Sequence, residues 1–152
     1  MSINVEDIKK LRTKTGAGIA DCRKALEEAG GDLKKAEELL RSWGIEKAVK
    51  KAGRAVGSGL VETYIHADGR IGAMVELRCE TDFVARTDEF KNLAHELVMQ
   101  VAAMDPTDVE DLLKREYIRD SSKTVEELVR EIIAKVGENI VVKRFMRFEL
   151  GE

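Results

Sequence analysis

The chain has 152 residues, of which 36% are charged and 43% hydrophobic, and a formal net charge of −3. That is enough for one domain of ordinary size or two small ones, built on a mostly aliphatic core because aromatics are scarce. With 29 acidic against 26 basic side chains the excess positive charge that phosphate contacts require is missing, so no direct nucleic-acid partner is expected. No apolar run is long enough to cross a bilayer, and Met1–Val5 does not open a secretory signal. The two cysteines, Cys22 and Cys79, lie far apart, have no CxxC spacing and are accompanied by only two histidines. They read as cytosolic thiols in a cytoplasmic protein, with no metal site and no cofactor expected.

Asn4 caps a first predicted helix with Val5, Ile8 and Leu11 at helical spacing. Thr15-Gly16-Ala17-Gly18 breaks it. A second helix places Ile19, Cys22, Ala25, Leu26 and Ala29 on one side, and Gly30-Gly31 ends it. Asp32 caps a third, with Leu33, Ala36, Leu39, Leu40 and Trp43 along one stripe. The basic, alanine-rich segment Lys47–Arg54 reads as a helical linker that loosens at Gly53, Gly57 and Gly59.

Asp68-Gly69 between apolar runs signals a hairpin, and the strand after it alternates Ile71, Ala73, Val75, Leu77 and Cys79 with charged residues. Phe90, Leu93, Ala94, Leu97, Val98 and Val101 then predict a long helix that Pro106 ends. A short helix follows over Val109–Leu113, then a loop at Ser121-Ser122. Thr124 and Glu127 form a capping-box pattern for a third helix, which Gly137 stops. A strand from about Ile140 to Leu150 closes the chain. The expected order is three helices, a linker, then β-β-α-α-α-β, an α+β class. Its units are a three-helix domain over 1–44, a basic helical linker over 45–58 and a core lobe over 59–152.

Three segments carry a resemblance. Thr15-Gly16-Ala17-Gly18-Ile19-Ala20-Asp21-Cys22-Arg23-Lys24-Ala25-Leu26, Cys79-Glu80-Thr81-Asp82-Phe83-Val84-Ala85-Arg86 and Gly137-Glu138-Asn139-Ile140 are similar, in this order, to signatures of the elongation factor Ts family. The resemblance implies an N-terminal domain of the ubiquitin-associated type, then one core lobe of three-stranded antiparallel sheet packed by helices. It also implies a protein partner, elongation factor Tu, and exchange of its bound GDP without covalent chemistry. Longer members carry a second core lobe and a coiled-coil protrusion. Here only Asp105–Lys123 separates the core helices, too little for either.

By resemblance, Phe83 wedges between helices of the partner's nucleotide domain and disturbs its Mg2+ site, Asp82 holds the shifted arrangement, and Thr81 and Val84 shape the insertion. Read as residues alone, the same segment is a cap with an apolar residue packed under it. Arg12, Ile19 and Ala20 form an expected docking patch; Ala20 is smaller than the bulky residue expected there. Two rival functions stand beside exchange: a ubiquitin-associated-type adaptor that uses only the first three helices, and a cysteine hydrolase built on Cys79 with Glu80, His66 and His95. The last strand implies a further partner. Alternation places Ile140, Val142, Met146, Phe148 and Leu150 on one face and Val141 and Phe145 on the other, with Met74, Leu60 and Tyr64 adding to the outer side. A homodimer through that outer face, with Val141, Phe145 and Met74 in the interface, is the expectation.

Overall fold

The computed structural model describes residues 2–152. Met1, the first residue of the stretch read for a secretory signal, lies outside them. Three helices come first: α1 (Val5–Thr15), α2 (Ile19–Glu28) and α3 (Leu33–Lys51). Asn4 accepts a hydrogen bond from the Glu6 amide, and Asp32 accepts one from Lys35. Gly16 ends α1 at φ 71°, and Gly30 and Gly31 turn the chain after α2 at φ 63° and 86°, all in the left-handed region open to glycine. Leu11, Cys22, Ala25, Leu26, Ala36 and Leu40 bury together as a small core of their own.

The second part follows as β1 (Ser58–Ile65), β2 (Ile71–Cys79), α4 (Asp82–Ala85), α5 (Asp88–Met104), α6 (Val109–Lys114), β3 (Glu116–Tyr117), β4 (Asp120–Thr124), α7 (Val125–Val136) and β5 (Ile140–Glu149). Strands β1, β2 and β5 form an antiparallel sheet in the order β1-β2-β5, and helices α5 and α7 cover one face of its core. The α+β layout expected from the sequence is the one observed. The hairpin β3–β4 was not expected: Asp120–Lys123 is polar throughout and gives no alternation to read. The buried Gln100 on α5 makes it instead, donating to the Glu116 carbonyl (3.1 Å) and accepting from the Ile118 amide (3.0 Å).

The basic segment Lys47–Arg54 is helical as far as Lys51, and that stretch is the end of α3. Ala48 from that end is buried in the core of the second part. Helix α3 lies along α7. The Arg41 guanidinium spans Glu127 and Glu131, one turn apart, at 3.0 Å each, and a Cβ placed on Gly44 would come within 3.1 Å of the Ala134 Cβ. Glu127 thus spends its carboxylate on Arg41, while Thr124 still caps α7 by accepting from the Glu127 amide.

A bulge at Lys143 decides the faces of the sheet. Leu77 lies opposite Val142, but the next residue, Glu76, lies opposite Arg144, so Lys143 is skipped. One extra residue reverses the alternation beyond it. Phe145 therefore pairs with Val75 and packs inward on the core, which corrects its assignment to the outer face. Met146 and Phe148 move outward, opposite Met74 and Gly72. Leu60 and Tyr64 also pack on the core, and their neighbours Val61 and Ile65 face out. Val141 and Met74 remain on the outer face, opposite or beside Arg78 and Met146.

The outer face divides in two. Near the Cys79 end, Glu76 binds Arg78 at 2.6 Å and Arg144 at 3.0 Å. Near the hairpin end the cross-strand rows are Thr63, Met74 and Met146, then Ile65, Gly72 and Phe148, with no charge among them. Met74 is 50% exposed and Phe148 70%. Among the described residues no helix is long and apolar enough to cross a membrane.

Candidate functional site

Where β2 runs out, the chain makes a single helical turn, α4, before α5 begins. Its sequence leaves little choice. Thr81 is extended (φ −131°, ψ 153°) and its hydroxyl accepts from the Val84 amide at 3.3 Å, an N-cap. Thr87 closes the turn by donating to the Val84 carbonyl at 2.7 Å and caps α5 through the Phe90 amide at 3.3 Å. Val84 and Ala85 are buried in the core. With both ends capped and one side buried, Asp82 and Phe83 are pushed outward.

Phe83 is 82% exposed, more than any other large apolar side chain among the described residues. Exposing a phenylalanine to this degree forgoes about 1.5–3 kcal/mol of burial, so the position is poorly explained by folding. Among the described residues the Asp82 carboxylate has neither a hydrogen-bond donor nor an ion-pair partner. The turn thus holds an apolar ring beside a free carboxylate in solvent, on a backbone anchored in the core. Val84, expected to shape the insertion, is 5% exposed and packs into the core behind the turn.

The third signature meets the second here. The Glu138 carboxylate, in the connector between α7 and β5, accepts from the Thr81 amide (2.9 Å) and the Thr81 hydroxyl (2.7 Å). Glu80 accepts from the Asn139 amide at 2.8 Å. Asn139 is itself buried and donates to the carbonyls of Ala52 (3.3 Å) and Arg54 (2.9 Å). Neither Glu138 nor Asn139 was among the site residues expected from the sequence. Their place in a signature was the available signal, but nothing local links them to Thr81.

Arg12, Ile19 and Ala20 are all exposed, at the corner where α1 turns into α2. Ile19 is 57% exposed although it begins the apolar stripe of its helix. Beside this corner lies a cleft of about 630 Å3 between the first helices and α7. Two of its lysines are engaged, Lys47 with Asp21 at 2.9 Å and Lys14 with Glu37 at 2.7 Å.

Cys79 is fully buried. Burial first, then the nearby Glu138 carboxylate, push its thiol up from the ordinary value, and it donates to the Thr81 carbonyl at 3.1 Å. The histidines sit elsewhere, each edge-on to the ring of Tyr64. This is a structural thiol and a poor nucleophile.

The model of the family described as elongation factor TS matches residues 80–152, the stretch that holds Thr81–Val84 and Glu138. Over 195 aligned positions the chain is 45% identical to "Elongation factor Ts" of Thermoanaerobacter sp. (strain X514), covering 99% of this chain and 96% of that protein. It is 43% identical to the protein of that name from Coprothermobacter proteolyticus over 197 positions, covering 100% of both. With that of Thermotoga petrophila it shares 46% identity, over 100% of this chain and 98% of the relative.

The chain belongs to the elongation factor Ts family. Its role is that of a translation elongation factor in protein biosynthesis. Because the alignments run over 195 to 197 positions against 152 residues, these relatives carry residues that the chain lacks.

Proposed function

We propose that the chain is a guanine nucleotide exchange factor: in the cytoplasm it binds elongation factor Tu in its GDP form and promotes GDP release, performing no covalent chemistry. The observation that carries this reading is the pairing of a protruding Phe83 with an unpartnered Asp82 on a turn fixed to the core. GTPases hold GDP through backbone amides and through Mg2+ on the phosphates. Mg2+ needs near-ideal octahedral geometry, so a shift of about one ångström in its surroundings weakens it. Phe83 enters a groove in the partner's nucleotide domain, Asp82 holds the shifted position, and Thr81 and Val84 keep the turn rigid behind them. Arg12, Ile19 and Ala20 dock a second surface. By linkage, a factor that binds the nucleotide-free state more tightly weakens nucleotide binding, and nucleotide weakens the factor's in return.

The test is the release of a fluorescent GDP from elongation factor Tu after mixing with the protein. Strong acceleration is expected, and Phe83→Ala should slow it about tenfold or more, the cost of losing a central aromatic anchor. Binding with unchanged release would instead favour the adaptor that uses only the first three helices.

We further propose that the chain forms a homodimer through the hairpin half of its outer sheet face. Met74, Met146, Phe148 and Ile65 support it as an exposed apolar surface; Val61 adjoins it opposite Glu76, whereas Val141, opposite Arg78, lies at the charged end and outside the contact. A twofold contact would pack two sheets about 10 Å apart and bury each of these side chains twice. From Gly72 to Cys79 the strand spans roughly 20 Å, so the dimer face and Phe83 lie far enough apart to be used together.

A further inference from the structure

We infer that Glu138 is the positioning residue of the exchange site: it clamps Thr81 and so fixes the direction in which Phe83 protrudes. The inference rests on the wedge reading of Phe83 and adds to it the group that makes the wedge stiff.

A wedge acts only if it yields less than what it enters. Phe83 is 82% exposed and makes little contact with its own chain, so its stiffness must come from the backbone on either side. On the C-terminal side Val84 is buried, and its carbonyl accepts from the Thr87 amide (3.0 Å) and hydroxyl (2.7 Å). On the N-terminal side the Asp82 carbonyl accepts from the Arg86 amide at 3.2 Å, a contact within the turn itself, and the hold on the rest of the fold falls on Thr81. Every polar atom of Thr81 is engaged. Its amide and hydroxyl donate to the two oxygens of Glu138, its hydroxyl accepts from Val84, and its carbonyl accepts from Ala85 at 3.2 Å and from the Cys79 thiol.

The cap alone would hold α4, since Thr81 to Val84 is sufficient for that. The Glu138 contact is additional, two-pronged and charge-assisted, and so directional. Glu138 is itself braced. Gly137 before it ends α7 in the left-handed region, with its amide on the Ile133 carbonyl at 2.9 Å. Asn139 after it is buried and bonded to Glu80, Ala52 and Arg54. A push on Phe83 therefore passes through Thr81 and Glu138 into α7 and the end of α3.

The experiment measures GDP release from elongation factor Tu over a range of concentrations of the 152-residue chain. It separates the maximal rate from the half-saturating concentration, with rates corrected for the folded fraction by circular dichroism. Glu138→Ala is expected to lower the maximal rate about tenfold, the scale of a charge-assisted hydrogen-bond pair. The half-saturating concentration should stay nearly unchanged, because Arg12, Ile19 and Ala20 still dock. Glu138→Gln, which keeps one acceptor for the Thr81 amide, should recover part of the rate. Adding Glu138→Ala to Phe83→Ala should cost little more than Phe83→Ala alone, since Glu138 acts through that ring.

A normal rate in Glu138→Ala while Phe83→Ala is slow overturns the positioning role and leaves the wedge standing. A loss in the double variant equal to the product of the single losses also overturns it. A normal rate in Phe83→Ala removes the wedge reading and this inference with it.

Discussion

Phe83 and Tyr117 show how differently single aromatic residues are used. Phe83 stays in solvent on a fixed turn, whereas Tyr117 is 9% exposed and its hydroxyl donates to the Glu96 carboxylate at 2.7 Å. Burial first, and then that hydrogen bond, push the Tyr117 hydroxyl up from 10.0 to about 12. The unfolded chain loses this proton near its ordinary value, while the folded one keeps it. Between about pH 10 and 12 the folded state therefore binds more protons, and stability falls as pH rises; below that window the contribution is fully present. Tyr117→Phe removes the hydrogen bond and should lower stability by about 1 kcal/mol near neutrality. The gap between the two proteins should close above about pH 10, read from urea midpoints across the window. A gap that did not change with pH would show that the proton is not held by the fold.

At the scale of elements, α3 is the one that matters most, because it serves both halves of the chain. Its first turns bury Ala36 and Leu40 in the small helical core, and its last turns bury Ala48 in the core of the second part. The division into residues 1–44, 45–58 and 59–152 is therefore a proposal about which pieces fold alone, and truncation tests it. A chain starting at residue 55 loses Ala48 and both carbonyls that satisfy Asn139. Leaving that buried amide unpaired costs about 1–3 kcal/mol. A chain starting at residue 45 keeps all three. Both lose Arg41 and its hold on Glu127 and Glu131. Thermal unfolding should place the chain from 45 clearly above the chain from 55. Equal midpoints would mean that the end of α3 is a passive linker after all.

For the whole molecule, the open question is what covers the outer sheet face. The proposed homodimer predicts a mass twice the 17.0 kDa of the chain at sedimentation equilibrium, with reducing agent present, because both cysteines are buried. Phe148→Glu and Met146→Glu should shift the protein toward monomer without unfolding it, since both side chains are already exposed. Phe145→Glu should behave otherwise and destabilise the chain itself, because that ring packs on the core and a buried unpaired charge is costly. A wild type that stays monomeric at micromolar concentration would end the dimer proposal.

Helix caps, helical spacing and two-residue alternation are local, and the sequence by itself determined what depends on them: the three helices, the hairpin at Asp68-Gly69, the α+β class and the cap at Thr81. The family signatures were legible for the same reason, as contiguous runs. Tertiary structure decided the rest. The outward turn of Phe148 and the inward turn of Phe145 follow from a bulge at Lys143, and a bulge exists only relative to the partner strand. The hairpin β3–β4 depends on Gln100, and the clamp on Thr81 on a carboxylate 57 residues away. Such pairings are set by packing across the fold, where a side chain's neighbours are chosen by the shape of the whole core, so no short window of sequence contains them.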